Sequence, residues 1–352
     1  MTQTTAKVLV VDDSAVVRGL LVRALEADPY ISVAGTAMHG LAAIAWLRKN
    51  EADVVVLDVE MPVMDGLTAL KSILEEFPQT QVIMASSMTY EGAETTIEAL
   101  KIGAAECIAK PVAKCAADSI SQLTRQLLPL VKALAQHKTP HARPSDVSSA
   151  PSPPTGAIPQ VVVVGSSTGG PKALSALVAG LPADFDTPIL ITQHMPPMFT
   201  PMLAKHLAQD GGRPCHEASH GMLIERGHTY VAPGGFHMAI DHKNDHMLTV
   251  LNQDPPEHYC RPSVNPLYRS AAKWYGATTL AVMLTGMGED GIEGARELAG
   301  LGAPIIVQDK ASSVVWGMPA AIANAGLANE ILPLDQIPAA IERICRSPVG
   351  AR

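Results

Sequence analysis

Between Thr139 and Pro159 the chain runs Thr-Pro-His-Ala-Arg-Pro-Ser-Asp-Val-Ser-Ser-Ala-Pro-Ser-Pro-Pro-Thr-Gly-Ala-Ile-Pro, a text from which no packed core can be built. Proline, serine and alanine dominate and apolar periodicity vanishes, which reads as a linker, semi-stiff where its prolines cluster. It divides the 352 residues into two units of ordinary domain size. The expected boundaries are 1–136, a linker over 137–159, and 160–352. An apolar fraction of 47% is ample for two cores, while aromatics at 4% leave Val, Ile, Leu, Ala and Met to fill them.

Both units alternate short β-branched runs with helical patterns, the text of a parallel α/β sheet. In the first, strands are expected at Val8–Val11, Val54–Leu57, Val82–Ala85 and, more weakly, Cys107–Ala109. Val16, Val17, Leu20, Leu21, Ala24 and Leu25 recur between them at helical spacing. In the second, strands are expected at Val161–Val164, Pro188–Thr192, His228–Ala232, Thr279–Leu284 and Pro304–Val307, with a helix over Lys172–Ala179 between Pro171 and Gly180. No repeat relates the two units.

Functional side chains of an open α/β sheet collect beyond the carboxyl ends of its strands. In the first unit those positions hold Asp12 and Asp13, then Asp58, then Ser86 and Ser87, then Lys110-Pro111. Three carboxylates on one rim repel one another unless a cation sits among them. Hard oxygen ligands of this kind suit Mg²⁺, and a divalent ion with a lysine beside it suits phosphoryl transfer. Any single aspartate here reads equally well as a turn or cap residue; the whole set does not.

In the second unit, Gly165-Ser166-Ser167-Thr168-Gly169 follows a buried strand and fits G-x-S-x-G, a serine on a sharp strand-to-helix turn. The same text fits a phosphate-binding turn or a plain connection. A nucleophilic serine needs a base, and the base an orienting group. Two later strand ends supply His194 and Asp290. The order Ser…His…Asp differs from the Ser…Asp…His of α/β-hydrolases.

Two resemblances sharpen these readings. Val10-Val11-Asp12-Asp13-Ser14, Leu57-Asp58, Met61-Pro62-Val63-Met64-Asp65-Gly66, Ser86 and Lys110-Pro111 resemble a response-regulator receiver domain. The resemblance implies a flavodoxin-like fold with Asp58 as phosphoryl acceptor. It further implies Mg²⁺ held by Asp12, Asp13, Asp58 and the carbonyl of Glu60, with Ser86 and Lys110 as switch residues. Cys107 stands where such domains often carry an aromatic switch residue.

The second unit resembles the catalytic domain of the chemotaxis protein-glutamate methylesterases, the CheB family. The likeness rests on Gly165–Gly170, Thr192-Gln193-His194-Met195-Pro196-Pro197, Val231-Ala232-Pro233-Gly234-Gly235-Phe236-His237, Arg261-Pro262-Ser263-Val264-Asn265, Thr285-Gly286-Met287-Gly288-Glu289-Asp290-Gly291 and Gly317-Met318-Pro319. Asn265 and Glu289 depart from the family's usual Asp and Asn.

This second resemblance implies a Rossmann-like three-layer domain and a Ser167–His194–Asp290 triad, with Thr168 and the Met287 N–H around the oxyanion. The implied reaction is hydrolysis of glutamate methyl esters, with glutamine deamidation beside it, on methyl-accepting chemoreceptors. A sensor histidine kinase is the implied phosphodonor, and no cofactor is implied for the ester reaction. The alternative is a phosphorylation-gated binding module with an inactive triad.

Other classes fit poorly. A net charge of −8 with no basic face argues against nucleic-acid binding. No apolar run reaches the roughly 18 residues of a membrane span, and no secretory leader is legible at the N-terminus. Five scattered cysteines without a CxxC pair fit a reducing cytoplasm. His216-Glu217-Ala218-Ser219-His220 matches the zinc-protease pattern H-E-x-x-H, but the flanking glycines and proline speak against the helix that this pattern needs.

Overall fold

The computed structural model describes residues 5–87, 90–110, 115–135 and 158–346. Pro111 and nearly all of the linker lie outside the described residues. The chain divides into two compact units, Met1–Pro140 and His141–Arg352.

The first unit alternates strand and helix from end to end: β1 (Ala6–Val11), α1 (Ala15–Leu25), β2 (Ile31–Ala37), α2 (Gly40–Leu47), β3 (Val54–Asp58), α3 (Gly66–Glu76), β4 (Gln81–Ser86), α4 (Tyr90–Ile102), β5 (Glu106–Ala109) and α5 (Ala116–Ala135). Its sheet has the order β2-β1-β3-β4-β5, parallel throughout, which is the flavodoxin-like winding. The chain reverses its direction of winding at β1, so the crevice beyond β1 and β3 is where a ligand belongs. β2 was not legible in the sequence. It is an edge strand of alternating burial carrying Ser32, Gly35 and Thr36, so it lacks the unbroken apolar run of β3.

The second unit comprises β6 (Val161–Ser166), α6 (Gly170–Ala179), β7 (Ile189–Gln193), α7 (Thr200–Gly211), β8 (Cys215–Glu217), β9 (Thr229–Val231), β10 (His237–Lys243), β11 (His246–Asn252), α8 (Val264–Trp274), β12 (Thr279–Met283), α9 (Ile292–Gly300), β13 (Ile305–Gln308), α10 (Met318–Asn324), β14 (Glu330–Leu332) and α11 (Ile337–Cys345). A seven-stranded parallel sheet has the order β14-β13-β12-β6-β7-β9-β8. β6, wholly buried, is its centre. β7 leaves it on one side and β12 on the other, so the switch point falls where β6, β7 and β12 end. β10 and β11 form a separate antiparallel hairpin. This hairpin and the short strands β8 and β14 were missed in the sequence: three-residue strands carry no periodicity, and β10 ends in Asp241, His242 and Lys243. His216-Glu217 lies on strand β8, so the helix required by the zinc-protease pattern is replaced by a strand.

Candidate functional site

In the first unit, carboxylate oxygens of Asp12, Asp13 and Asp58 lie within 4.8 Å of one another. Asp12 and Asp58 are buried. Lys110 Nζ bridges them, 2.6 Å from Asp58 Oδ1 and 2.9 Å from Asp12 Oδ2. Local bonds hold the frame. The Ser14 N–H donates to Asp12 Oδ1 (2.8 Å), and Arg18 Nη1 donates to the carbonyls of Asp12 (2.6 Å) and Asp13 (3.0 Å). Gly66 opens α3 where a Cβ would stand 2.0 Å from the Asp58 carbonyl oxygen, so only glycine lets the loop close.

Burial raises the Asp58 carboxyl to about 6; Lys110 pulls against that shift and Asp12 adds to it. Asp58 Oδ1 also accepts from the Glu60 N–H (3.2 Å), whereas Asp58 Oδ2 has no hydrogen-bond partner among the described residues. A buried, unpartnered carboxylate oxygen beside two further carboxylates fits a divalent cation and an incoming phosphoryl group. The Glu60 carbonyl, which accepts no hydrogen bond among the described residues, is free to serve as a further ligand. Buried Ser86 is turned away, its hydroxyl donating to the carbonyls of Ser87 (3.2 Å) and Gly92 (3.3 Å). Cys107, in place of an aromatic switch residue, is half-buried, and desolvation pushes its thiol up to about 12.

In the second unit, the ends of β6, β7 and β12 carry Ser167, His194 and Asp290 to one rim. His194 Nε2 lies 2.7 Å from Asp290 Oδ2. The remaining lone pairs of Asp290 are taken by the Ser263 hydroxyl (2.7 Å) and by the Val264 N–H (2.7 Å) at the start of α8. A helix N-terminus and a hydroxyl thus fix the charge that orients the ring. Burial alone would raise the Asp290 carboxyl, but His194, Val264 and Ser263 hold it below its ordinary value. For His194, burial opposes the charged ring, yet Asp290 and Cys260 outweigh it and raise the imidazole to about 10.

The serine is presented but not engaged. The Ser167 N–H donates to the Thr285 carbonyl (3.0 Å), and Gly286 packs where a Cβ would come within 2.8 Å of Ser167 Cβ. Among the described residues the Ser167 hydroxyl makes no hydrogen bond. The ring nitrogen left to it, His194 Nδ1, lies 3.4 Å from Cys260 Sγ. Loose nucleophile–base contacts are common before substrate arrives. Among the described residues the backbone N–H groups of Thr168 and Met287 donate to nothing, which leaves both for an oxyanion.

Gln193 is the functional residue that sequence reasoning missed. Its Oε1 accepts from the Ser166 hydroxyl (2.6 Å), and its Nε2 donates to the carbonyls of Ser167 (2.9 Å) and His194 (3.1 Å). One amide therefore holds the Ser167 peptide and the His194 peptide in one frame. Ser263 and Cys260 were missed in the same way, because each acts across 26 or more residues of sequence; the textual hint was that Ser263 lies in the Arg261–Asn265 segment and Cys260 directly precedes it.

Fold and sites together define an α/β protein with two units, one bearing a buried acidic pocket with a lysine and the other a histidine–carboxylate pair and a half-buried serine at the end of its central strand. Comparison with known proteins agrees. The CheB methylesterase profile matches residues 162–341, and the response regulator receiver domain profile matches residues 8–119. The protein-glutamate methylesterase/protein-glutamine glutaminase 1 of Rhodospirillum rubrum is 43% identical over 368 residues, covering 96% of this chain and 94% of the relative. The protein-glutamate methylesterase/protein-glutamine glutaminase 2 of Caulobacter vibrioides is 47% identical over 340 residues, covering 94% and 96%. The crystal structure of the Thermotoga maritima CheB methylesterase catalytic domain matches with a TM-score of 0.52 at 38% identity, covering 53% of this chain and 98% of that one. The chain belongs to the CheB methylesterase family, with a response regulator receiver domain at its N-terminus.

Proposed function

We propose that the chain is a phosphorylation-regulated serine esterase that hydrolyses glutamate methyl esters, and deamidates glutamines, on methyl-accepting chemoreceptors in the cytoplasm. The observation that carries this reading is the buried His194–Asp290 pair (2.7 Å) on the rim where Ser167 is presented. His194 Nδ1 takes the proton of Ser167 as its oxygen attacks the ester carbonyl, and the Thr168 and Met287 N–H groups receive the oxyanion. Methanol leaves with that proton, and water attacks the acyl-enzyme to restore Ser167 and free the carboxylate; for glutamine, ammonia is the leaving group.

The phosphoryl group comes from a sensor histidine kinase and is accepted by Asp58. Asp12, Asp13, Asp58 and the Glu60 carbonyl would hold Mg²⁺, which would supply charge neutralisation for the phosphoryl oxygens. Lys110 pairs with the phosphoryl group and the Ser86 hydroxyl turns to it. Receiver, linker and catalytic domain are assigned to 1–136, 137–159 and 160–352. The unphosphorylated receiver restrains the esterase, and phosphorylation at Asp58, adding about −1.5 to −2 charges, lifts the restraint.

The test is methanol release from methyl-labelled receptor membranes, with and without a small phosphodonor. Release should rise with phosphodonor in the wild type, fail to rise in Asp58→Asn, and fall by roughly 10⁴ to 10⁶ in Ser167→Ala. A folded Ser167→Ala protein of near-normal activity would overturn the assignment. No release from the wild type would leave a phosphorylation-gated binding module.

A further inference from the structure

We propose that Tyr259 is a docking side chain for the polypeptide that carries the ester, gripping the apolar flank of the receptor segment beside the modified glutamate. The inference rests on the receptor-modifying reading above. Glu257 and Cys260 exchange both backbone hydrogen bonds, Cys260 N–H to Glu257 O at 2.8 Å and Glu257 N–H to Cys260 O at 3.2 Å. His258 and Tyr259 are therefore the two central residues of a tight hairpin turn. Both lie in the left-handed region, with φ of 48° and 64°. Such a turn strongly favours Asn and Gly. The same chain obeys that preference at the tip of the β10–β11 hairpin, where Asn244 and Asp245 take φ of 50° and 62° between the paired Lys243 and His246. A bulky aromatic in this conformation is an outlier.

Among the described residues nothing repays the strain at Tyr259. Its side chain is fully exposed (103%), and among the described residues it makes no hydrogen bond or ring contact. The turn itself is firmly held. Glu257 pairs with Arg269 of α8 (3.0 Å), His258 Nε2 pairs with Glu293 of α9 (3.1 Å), and Cys260 Sγ rests 3.4 Å from His194 Nδ1. A rigid mount thus displays a free aromatic ring one residue from the thiol that touches the catalytic histidine. Strain kept in place by its surroundings points to use by something outside the fold.

The neighbouring loops show what that something is. Met287 follows Gly286, which packs on Ser167, and Phe236 follows Gly235, whose N–H donates to the Arg261 carbonyl (3.0 Å). Both side chains are exposed. Met287 and Tyr259 are thus each one residue from a group that meets the serine or the histidine, and Phe236 is next to the glycine that binds the Arg261 loop. An uncharged methyl ester on the apolar face of a receptor segment is compatible with that rim. The carboxylate product is charged, loses free energy by staying there, and is released. An exposed tyrosine beside such a site supplies contact area at little entropic loss.

The experiment compares wild type with Tyr259→Gly, Tyr259→Asn and Tyr259→Phe in the full chain. It measures kcat/KM on methylated receptor membranes and on a small chromogenic acetate ester, alongside thermal unfolding. Gly and Asn suit the left-handed backbone, so these variants should fold and unfold at a higher temperature than wild type. Their receptor-to-small-ester ratio of kcat/KM should drop about 10-fold, mostly through KM, while Tyr259→Phe should recover most of the ratio. A ratio within twofold of wild type in Tyr259→Gly, or a lower unfolding temperature, would overturn the proposal. So would faster receptor turnover without phosphodonor in that variant, which would set the ring against the protein's own receiver instead. Wild-type protein that cleaves the small ester but releases no methanol from receptors would sink the receptor reading itself, a result distinct from an unchanged ratio.

Discussion

Replacing Gln193 with leucine keeps most of the volume of the side chain and removes its hydrogen bonding. Gln193 is 1% exposed and Ser166 is 0% exposed, so the Ser166 hydroxyl that gave its proton to Gln193 Oε1 at 2.6 Å has no water to turn to. A buried hydroxyl left without a partner costs about 1–3 kcal/mol, and each ordinary hydrogen bond lost contributes about 1 kcal/mol. The Ser167 carbonyl keeps its bond from the Gly170 N–H at 2.7 Å, so only part of the second contribution applies there. The sum is about 2–4 kcal/mol of destabilisation, or about 5–15 °C in Tm for a domain of this size. The catalytic loss should be larger than the stability loss suggests. The nucleophile and base peptides no longer share one amide, and a misplacement of about 1 Å costs on the order of 10²-fold in kcat/KM. Thermal unfolding and methanol release measure the two effects. The decisive comparison adds Ser166→Ala: removing the orphaned hydroxyl should restore more than about 1 kcal/mol in the double variant. Strictly additive losses, or full activity in Gln193→Leu, would refute the clamp.

Two further expectations concern ionisation. His194 acts as a base only when neutral, and its raised value of about 10 keeps it charged at neutral pH in the resting enzyme, so kcat/KM should climb with pH well beyond the ordinary histidine value. Asp290→Asn removes the anion that holds the proton, so the rising limb should move to lower pH while the maximal rate falls about 10⁴-fold; a limb that stays put would mean that another group controls it. In the receiver, Asp58 raised to about 6 is protonated below that pH and cannot attack phosphorus. Its carboxyl titration, followed by ¹³C NMR, should move up in Lys110→Met and down on adding Mg²⁺, and indifference to Mg²⁺ would refute the metal assignment.

Much of this architecture was legible in the sequence because long buried strands announce themselves. Val161–Val164 and Val54–Leu57 are unbroken β-branched runs, and the residues that end such runs in an open α/β sheet meet at its carboxyl rim. Asp12, Asp58, Ser167 and His194 were assigned to those rims by that rule, and the structure places them at strand ends. The acidic rim of the receiver was also short-range text, with Asp12 and Asp13 adjacent and the Asp58 loop closed within eight residues by Gly66. What stayed hidden acts at a distance or is conformational. Gln193 reads as one polar residue at a strand end until β6 and β7 are paired in register, Ser166 against Gln193. Ser263, the N-cap of α8, stands 27 residues before Asp290, and no period links the two. His258-Tyr259 carries no turn signal at all, because the residues are the wrong ones for the turn they make.

The two units treat buried carboxylates in opposite ways, and the contrast separates a group that reacts from a group that orients. Asp290 has its oxygens committed: Oδ1 to the Ser263 hydroxyl, Oδ2 to the Val264 N–H and to His194. No lone pair points at an open position, so its charge is fixed and serves only to hold the ring. Asp58 is equally buried, yet Oδ2 is left without a partner and a second carboxylate sits close enough to raise it. Under the proposed phosphoacceptor role such a carboxylate cannot be fully satisfied, since each hydrogen bond that stabilises the anion also lowers its nucleophilicity. The receiver therefore keeps one oxygen costly and free, while Lys110 and the Glu60 N–H engage the other. The same accounting places Ser167 with Asp58: of the two adjacent serines, its hydroxyl makes no hydrogen bond among the described residues, while Ser166 is bound to Gln193. Choosing between the two serines thus comes down to which hydroxyl the fold leaves unspent.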